Sequence, residues 1–109
     1  MKFKQVKQDA ASFTHLTGYV TLTRGELVRI FGEPAGIESL DGKITTEWVL
    51  EFADKTVATI YDYKRYELGA PGAQEVYEWH VGGFSNKSLQ RVIDEIETYR
   101  RINAAIQEI

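Results

Sequence analysis

The stretch that most constrains the fold is residues 44–63, because apolar and polar side chains alternate on both sides of a short turn. In ITTEWVLEF, the side chains of Trp48, Leu50 and Phe52 share one face of a strand. The segment TVATIYDY follows after Asp54-Lys55, so the two segments predict an antiparallel hairpin. A two-residue loop would set three cross-strand pairs on the core face: Phe52 with Val57, Leu50 with Thr59, and Trp48 with Tyr61.

A short helix is predicted before this hairpin, in the segment TRGELVRIFGEP. Thr23 and Glu26 have the spacing of a capping box, in which each side chain accepts a hydrogen bond from the other residue's backbone N–H. Gly32 can supply a left-handed exit and Pro34 prevents continuation. The helix is therefore expected over residues 24–31.

Two further strands are predicted on either side of this core. Residues 13–22, FTHLTGYVTL, favour a strand that kinks or bulges at Thr17-Gly18. Residues 76–81, VYEWHV, predict a strand that ends at Gly82-Gly83. Its alternation predicts an inward and an outward set: Tyr77, Trp79 and Val81 inward, Glu78 and His80 outward. The intervening KRYELGAPGAQE is expected to be a long, mobile connection.

A helix beginning at Ser85 or Asn86 is predicted at the C-terminal end. Leu89, Val92 and Ile96 belong to an apolar stripe that would cover one face of the sheet. The stripe continues toward Asn103 and Ile106, so packing on the chain's own sheet and homo-oligomer formation through this helix both remain open.

These elements predict an α+β fold: a small antiparallel sheet of three to four strands packed against a C-terminal helix, with a short helix before the central hairpin. The 109 residues suffice for one domain spanning 1–109. Residues 1–12 are polar apart from isolated apolar side chains, and either fray or form a short edge strand.

Composition excludes several classes of function. A formal charge of −3 gives no electrostatic reason to bind duplex nucleic acid. The chain has no cysteine, which excludes disulfides and thiolate chemistry and fits a reducing cytosol. No apolar run is long enough to span a membrane, so we predict a cytoplasmic protein without membrane association.

His80, Asp62 and Glu78 are the candidates for acid–base chemistry, because an imidazole and a carboxylate can exchange protons near neutral pH. If Asp62 and His80 lie on neighbouring strands of the outer face, their side chains could touch. A solvated or structural histidine is the more common case in such a strand. The sequence contains no metal-binding, phosphate-binding or nucleophile motif, so no metal, cofactor or catalytic residue is predicted.

Residues around the long connection are the candidates for recognition. Tyr63 and Tyr66 flank Lys64 and Arg65 at its edge, where aromatic and basic side chains could contact a partner. Gly82-Gly83 precede a helix N-terminus, whose exposed N–H groups favour anions. A turn followed by a helix cap explains the same glycines without a ligand.

The chain also resembles a group of small uncharacterised proteins encoded by bacteriophages. The resemblance is carried by GYVTLTRGELVRIFGEP, TTEWVLEFADKTVATIYDYK and YEWHVGGFS, within residues 18–84. The group's pattern resembles E-W-x-x-E-F-x-D-G-T-V-A-T-I-Y-D-Y-K followed by W-H-I/V-G-G, and Lys55 departs from its glycine. The resemblance implies a setting in the cytosol of an infected host cell and no established activity.

Three functions follow as hypotheses. The leading one is a non-enzymatic, phage-encoded accessory protein that binds a host protein through Asp62, Lys64, His80 and the loop 65–75. The alternative is a sponge that sequesters a small anionic, nucleotide-like ligand. Its contacts would be Tyr63, Lys64, His80 and the amides of Gly82 and Gly83. The third is a small enzyme that uses Asp62 and His80.

Overall fold

The computed structural model of the chain describes residues 1–35 and 41–107. In chain order its elements are β1 (Phe3–Gln5), a first 3₁₀ helix (Gln8–Ala11), β2 (His15–Thr23), α1 (Arg24–Phe31), β3 (Glu47–Phe52), β4 (Val57–Tyr61), a second 3₁₀ helix (Tyr66–Leu68), β5 (Val76–Gly83) and α2 (Asn86–Gln107). The predicted α+β class is confirmed. Thr23 and Glu26 form the expected capping box at the start of α1.

The five strands form one antiparallel sheet in the order β1-β3-β4-β5-β2. The expectation of three to four strands was one short, because residues 3–5 form an edge strand in which Phe3 pairs with Phe52. The ring of Phe3 lies 5.2 Å from that of Phe31 and 5.8 Å from that of Phe52, measured between centroids. The contact of the Phe3 ring with these two rings stabilises the pairing of β1 with β3.

Both helices pack on one face of the sheet and bury the core there. The indoles of Trp48 and Trp79 meet edge to face at 5.5 Å and are fully buried. Each indole N–H is satisfied: Trp48 donates to the Gly32 carbonyl at 2.7 Å and Trp79 to the Leu22 carbonyl at 3.1 Å. These bonds remove the cost of burying the polar end of each indole.

Two glycines let α2 approach the sheet closely. A Cβ atom at Gly18 would lie 2.5 Å from Leu89 Cδ2, and one at Gly83 would lie 2.0 Å from Ser88 Oγ. Ser88 uses the space to donate a 2.6 Å hydrogen bond to the Val57 carbonyl. The predicted irregularity near Gly18 is confirmed as a register shift between Leu16 and Gly18.

The central hairpin differs from its predicted register by one residue. Trp48 pairs with Ile60 and Leu50 with Ala58, whereas Tyr61 and Thr59 had been predicted as their partners. The turn has three residues, 53–55, and Lys55 adopts a left-handed φ of 74°. Because side chains alternate along a strand, this one-residue difference places Tyr61 and Thr59 on the face opposite the helices.

In the connection between β4 and β5, Arg65 makes contacts that link the beginning of the segment to its end. The Arg65 guanidinium binds both carboxylate oxygens of Glu75, at 2.7 and 3.1 Å, and donates to the Gly69 carbonyl at 2.7 Å. It also lies 5.0 Å from the centroid of the Tyr77 ring. The planar guanidinium thus joins the two ends of the segment through three kinds of partner, and the mobility of the segment stays a prediction.

The last part of α2 extends away from the sheet, since every side chain from residue 101 to 107 is exposed. Ile102 and Ile106 are among these exposed side chains. Self-association through this helix therefore stays a prediction.

Replacing Lys55 with glycine should stabilise the protein. A non-glycine residue in the left-handed region costs roughly 1–2 kcal/mol, part of which glycine loses again through the entropy of the unfolded chain. We expect Lys55→Gly to raise the free energy of unfolding by about 1 kcal/mol in urea denaturation. Lys55→Ala, which keeps the Cβ atom, is the control and should give no gain. A destabilised Lys55→Gly variant would contradict the turn geometry.

Candidate functional site

A row of four side chains crosses the sheet on the face opposite the helices, which we call the outer face. Glu47 of β3 pairs with Tyr61 of β4, Tyr61 pairs with His80 of β5, and His80 pairs with Tyr19 of β2. We call these four residues the outer row. Because each is a direct cross-strand neighbour of the next, the register of the sheet alone brings them together.

The imidazole of His80 lies among three tyrosine rings. Its centroid is 5.3 Å from that of Tyr61, with the rings nearly parallel at 27°, and 5.0 Å from the ring of Tyr19. Tyr63, just beyond β4, approaches it at 5.3 Å. Burial lowers the pKa of His80, although the carboxylates of Glu78 and Asp62 act in the opposite direction. The imidazole is therefore neutral at neutral pH and offers an uncharged aromatic surface.

Beside the outer row lies a cleft of about 620 Å³ between the sheet and the segment 8–14. Its floor includes Thr59, Tyr61 and Gly82. A Cβ atom at Gly82 would lie 3.0 Å from Thr59 Oγ1. Glycine at this position therefore leaves the cleft deeper than a larger residue would. The first 3₁₀ helix covers one end of the cleft, where Gln8 Nε2 donates to Glu47 Oε1 at 3.3 Å. A volume of this size is typical of small-molecule sites and of pockets for an inserted side chain.

Glu47 is the unusual group in this cleft. Its side chain is only 7% exposed, and burial raises the pKa of its carboxyl, while the hydrogen bond from Gln8 acts to lower it. Across the part of the chain that the structure describes, no lysine or arginine pairs with it. Burial, and then the charge of Glu47, raise the pKa of Tyr61. The cleft therefore holds a carboxyl that is costly to ionise and lacks a cationic partner.

The structure brings four of the predicted recognition residues to this region. Tyr63 and His80 touch each other, Lys64 lies 5.3 Å from the centroid of the Tyr63 ring, and Gly82 lies in the cleft floor. Tyr66 lies apart in the second 3₁₀ helix and is exposed.

Asp62 corrects the sequence interpretation, which placed it on the outer face with His80. It is fully buried, because the true register directs Tyr61 outward and the next residue inward. Its carboxylate accepts hydrogen bonds from the backbone N–H groups of Thr45 and Thr46, both at 2.8 Å, and from the Thr45 hydroxyl. Asp62 and His80, both among the described residues, share no hydrogen bond, so the proposed dyad is not assembled.

Gly82 and Gly83 do not form an open anion-binding loop. Both lie within β5, paired on one side with Leu16 and His15 of β2 and on the other side with β4. The helix begins later, at Asn86, where the Ser85 hydroxyl accepts a hydrogen bond from the Lys87 N–H at 3.3 Å. Position 83 requires a glycine because Ser88 approaches its backbone too closely for a Cβ atom.

Sequence reasoning missed Glu47, Tyr61, Tyr19 and Gln8 as site residues. The alternation of β3 already directed Glu47 away from the core. Tyr61 points outward because the turn has three residues, with Lys55 in the left-handed region. No local sequence pattern predicts the contact of Gln8 with Glu47, because it joins residues far apart in the chain.

Comparison of the chain with protein-family models, with curated proteins and with solved structures gives no match. Within residues 1–35 and 41–107, no three histidine and acidic side chains come together in a way that could hold a metal ion. The same residues contain no helix long and apolar enough to cross a bilayer.

Glu47→Gln should stabilise the folded protein at neutral pH. Since burial raises the pKa of Glu47 in the folded state, stability is greatest below the ordinary glutamate pKa and falls as the pH rises through the raised value. A glutamine at position 47 does not ionise, so the stability of the variant should not fall over this pH range. We expect a higher melting temperature than wild type at neutral pH and a difference that shrinks toward acidic pH.

The matched control for this prediction is Glu51→Gln, on the same strand and face. Glu51 pairs with Lys4 at 3.7 Å and is more exposed, so its loss should give no such gain. Equal melting temperatures for wild type and Glu47→Gln across the whole pH range would show that the Glu47 carboxyl is not desolvated.

Proposed function

We propose that this protein is a non-enzymatic binding protein that binds a protein of the infected host cell, with the outer cleft and its rim as the recognition surface. The observation that carries the proposal is a set of four exposed apolar residues, which we call the rim: two line the cleft, one lies between two lining residues in the chain, and one belongs to the outer row beside it. With their exposed fractions they are Phe13 (96%), Leu16 (44%), Tyr19 (47%) and Tyr63 (36%). Single exposed apolar residues are ordinary, but several around one concave site are typical of protein interfaces.

Phe13 is the strongest member of this rim. Its neighbours Ser12 and Thr14 line the cleft, and its backbone has a left-handed φ of 68°. An aromatic residue in that conformation is strained, and the nearly complete exposure of the ring returns no burial energy to offset the strain. A partner that covers the ring would supply that energy.

The chemistry of the cleft favours a partner protein over the other two hypotheses. Glu47 and Asp9 line it, and their negative charges oppose the phosphates of a nucleotide-like anion. The amides that were to hold such an anion belong to Gly82 and Gly83, which are paired within the sheet. The enzyme hypothesis depended on contact between Asp62 and His80, and Asp62 is occupied by Thr45 and Thr46.

The recognition surface therefore shifts from the one expected from the sequence. The loop 65–75 is held by Arg65 and Glu75 within the chain, whereas the four rim residues present exposed apolar surface. The host setting comes from the resemblance to phage-encoded proteins. Tyr63, Lys64 and His80 remain in the proposed surface.

The test uses the double variant Phe13→Ser/Leu16→Ser on the rim and the matched double variant Ile102→Ser/Ile106→Ser at the exposed end of α2. A partner retained from a host lysate by the wild type is identified, purified and titrated against each variant. We expect the rim variant to weaken binding roughly 30-fold or more, as loss of interface anchors does, and the helix variant to bind like wild type.

Loss of binding by the helix variant alone would move the interface to α2 and refute the proposed surface. A small molecule found on the purified protein by native mass spectrometry, together with no protein partner, would favour the ligand-sponge hypothesis instead.

A further inference from the structure

We propose that the outer cleft receives an arginine side chain of the partner, whose guanidinium pairs with Glu47 and lies against the rings of Tyr61 and Tyr63. The inference rests on the proposed function, because it specifies the anchor that the partner inserts. It also assigns a chemical class to the site: a planar cation that donates several hydrogen bonds.

The first observation is the unmatched carboxyl. Glu47 is buried at one end of a cleft, and among the described residues its one hydrogen bond with another side chain is the 3.3 Å contact from Gln8. A buried carboxylate is stabilised by a cation that enters with good geometry, and a carboxylate can accept two parallel N–H bonds from a guanidinium. The cleft therefore favours a positively charged group over a neutral or negative one.

The second observation is the aromatic wall beside that carboxyl. Tyr61 is the direct cross-strand partner of Glu47, and the rings of Tyr61 and Tyr63 lie 6.4 Å apart at an angle of 77°. His80, packed against both rings, is uncharged at neutral pH and adds no repulsion toward a cation. Lys64 lies 5.3 Å from the centroid of the Tyr63 ring, so a bound guanidinium would share that ring with it, whereas the Tyr61 ring, next to the carboxylate, carries no such cation among the described residues.

The third observation is that the chain already contains this combination in occupied form. Arg65 pairs with both oxygens of Glu75 and lies over the ring of Tyr77, with a guanidinium side chain that is only 10% exposed. Glu47 and Tyr61 reproduce the carboxylate and the ring. No arginine or lysine of the described residues lines their cleft.

Arginine fits better than lysine for two reasons. Its planar group can stack on a tyrosine ring while it binds both carboxylate oxygens, and it is more weakly hydrated than an ammonium group. The cleft volume of about 620 Å³ admits a long side chain with its solvation. The other ionisable groups that line the cleft are Asp9, which adds to the attraction, and His15, which lies on the exposed strand end.

The probe is N-acetylarginine amide, which carries the side chain without the rest of a partner. It is titrated into the ¹³C,¹⁵N-labelled protein while the resonances of Gln8, Tyr61 and Tyr63 are followed. A ligand this small should bind with a dissociation constant on the order of millimolar. N-acetylcitrulline amide has nearly the same shape without the charge and serves as the ligand control.

The expected result is saturable shifts at these three residues with the arginine probe, none with the citrulline probe, and weaker binding of N-acetyllysine amide. Glu47→Gln should weaken arginine binding roughly tenfold or more, whereas Glu51→Gln should leave it unchanged. Because Glu47→Gln is expected to be the more stable protein, a loss of binding cannot be assigned to unfolding.

Three results would overturn the inference: no saturable shift with the arginine probe, equal shifts with the citrulline probe, or equal weakening by Glu47→Gln and Glu51→Gln. These failures are separable from failure of the proposed function. If Phe13→Ser/Leu16→Ser abolishes partner binding while the arginine probe does not bind, the proposed interface is supported and the proposed arginine site is refuted. If the probe binds at Glu47 while the rim variant binds its partner normally, the cation site stands and the proposed interface does not.

Discussion

The three-residue turn between β3 and β4 is the constraint on which the rest of the structure depends. It sets Trp48 opposite Ile60, and so assigns every side chain of the second strand to one face or the other. Ile60 and Ala58 close the core beneath the helices, while Tyr61 joins Glu47 and His80 on the outer face. Lys55 adopts a left-handed conformation to make this turn, so the register is maintained at a local conformational cost.

The two faces of the sheet follow different physical rules. On the helix face, the indole N–H groups of Trp48 and Trp79 are both satisfied, and Gly18 and Gly83 allow α2 to come close. On the outer face, a buried carboxyl lacks a cation, and the buried Nδ1 of His80 has no hydrogen-bond partner among the described residues. A buried carboxyl without a cation and an unpartnered imidazole nitrogen, next to a cleft, are typical of a surface that binds something else.

Local sequence signals predicted much of the fold. The capping box located α1, alternation placed Trp48, Leu50 and Phe52 in the core, and Gly18 marked the irregularity of β2. The register was wrong because TVATIYDY carries residues of high strand propensity on both faces, so alternation did not decide which set is buried. Asp62 was misplaced by the same one-residue error. Glu47 was missed because its hydrogen bond with Gln8 joins distant parts of the chain.

The register of the central hairpin, measured by NMR, is the most direct test of the outer row and its cleft. Phe52 donates to the Thr56 carbonyl and Asp62 to the Thr46 carbonyl, so Glu47–Tyr61 and Val49–Thr59 are the pairs without mutual hydrogen bonds, in which the Cα atoms approach most closely. We expect strong nuclear Overhauser effects between the Hα atoms of Glu47 and Tyr61 and between those of Val49 and Thr59. Strong Hα effects between Trp48 and Tyr61 instead would return Tyr61 to the core face and remove the outer row, the cleft and the functions proposed for them.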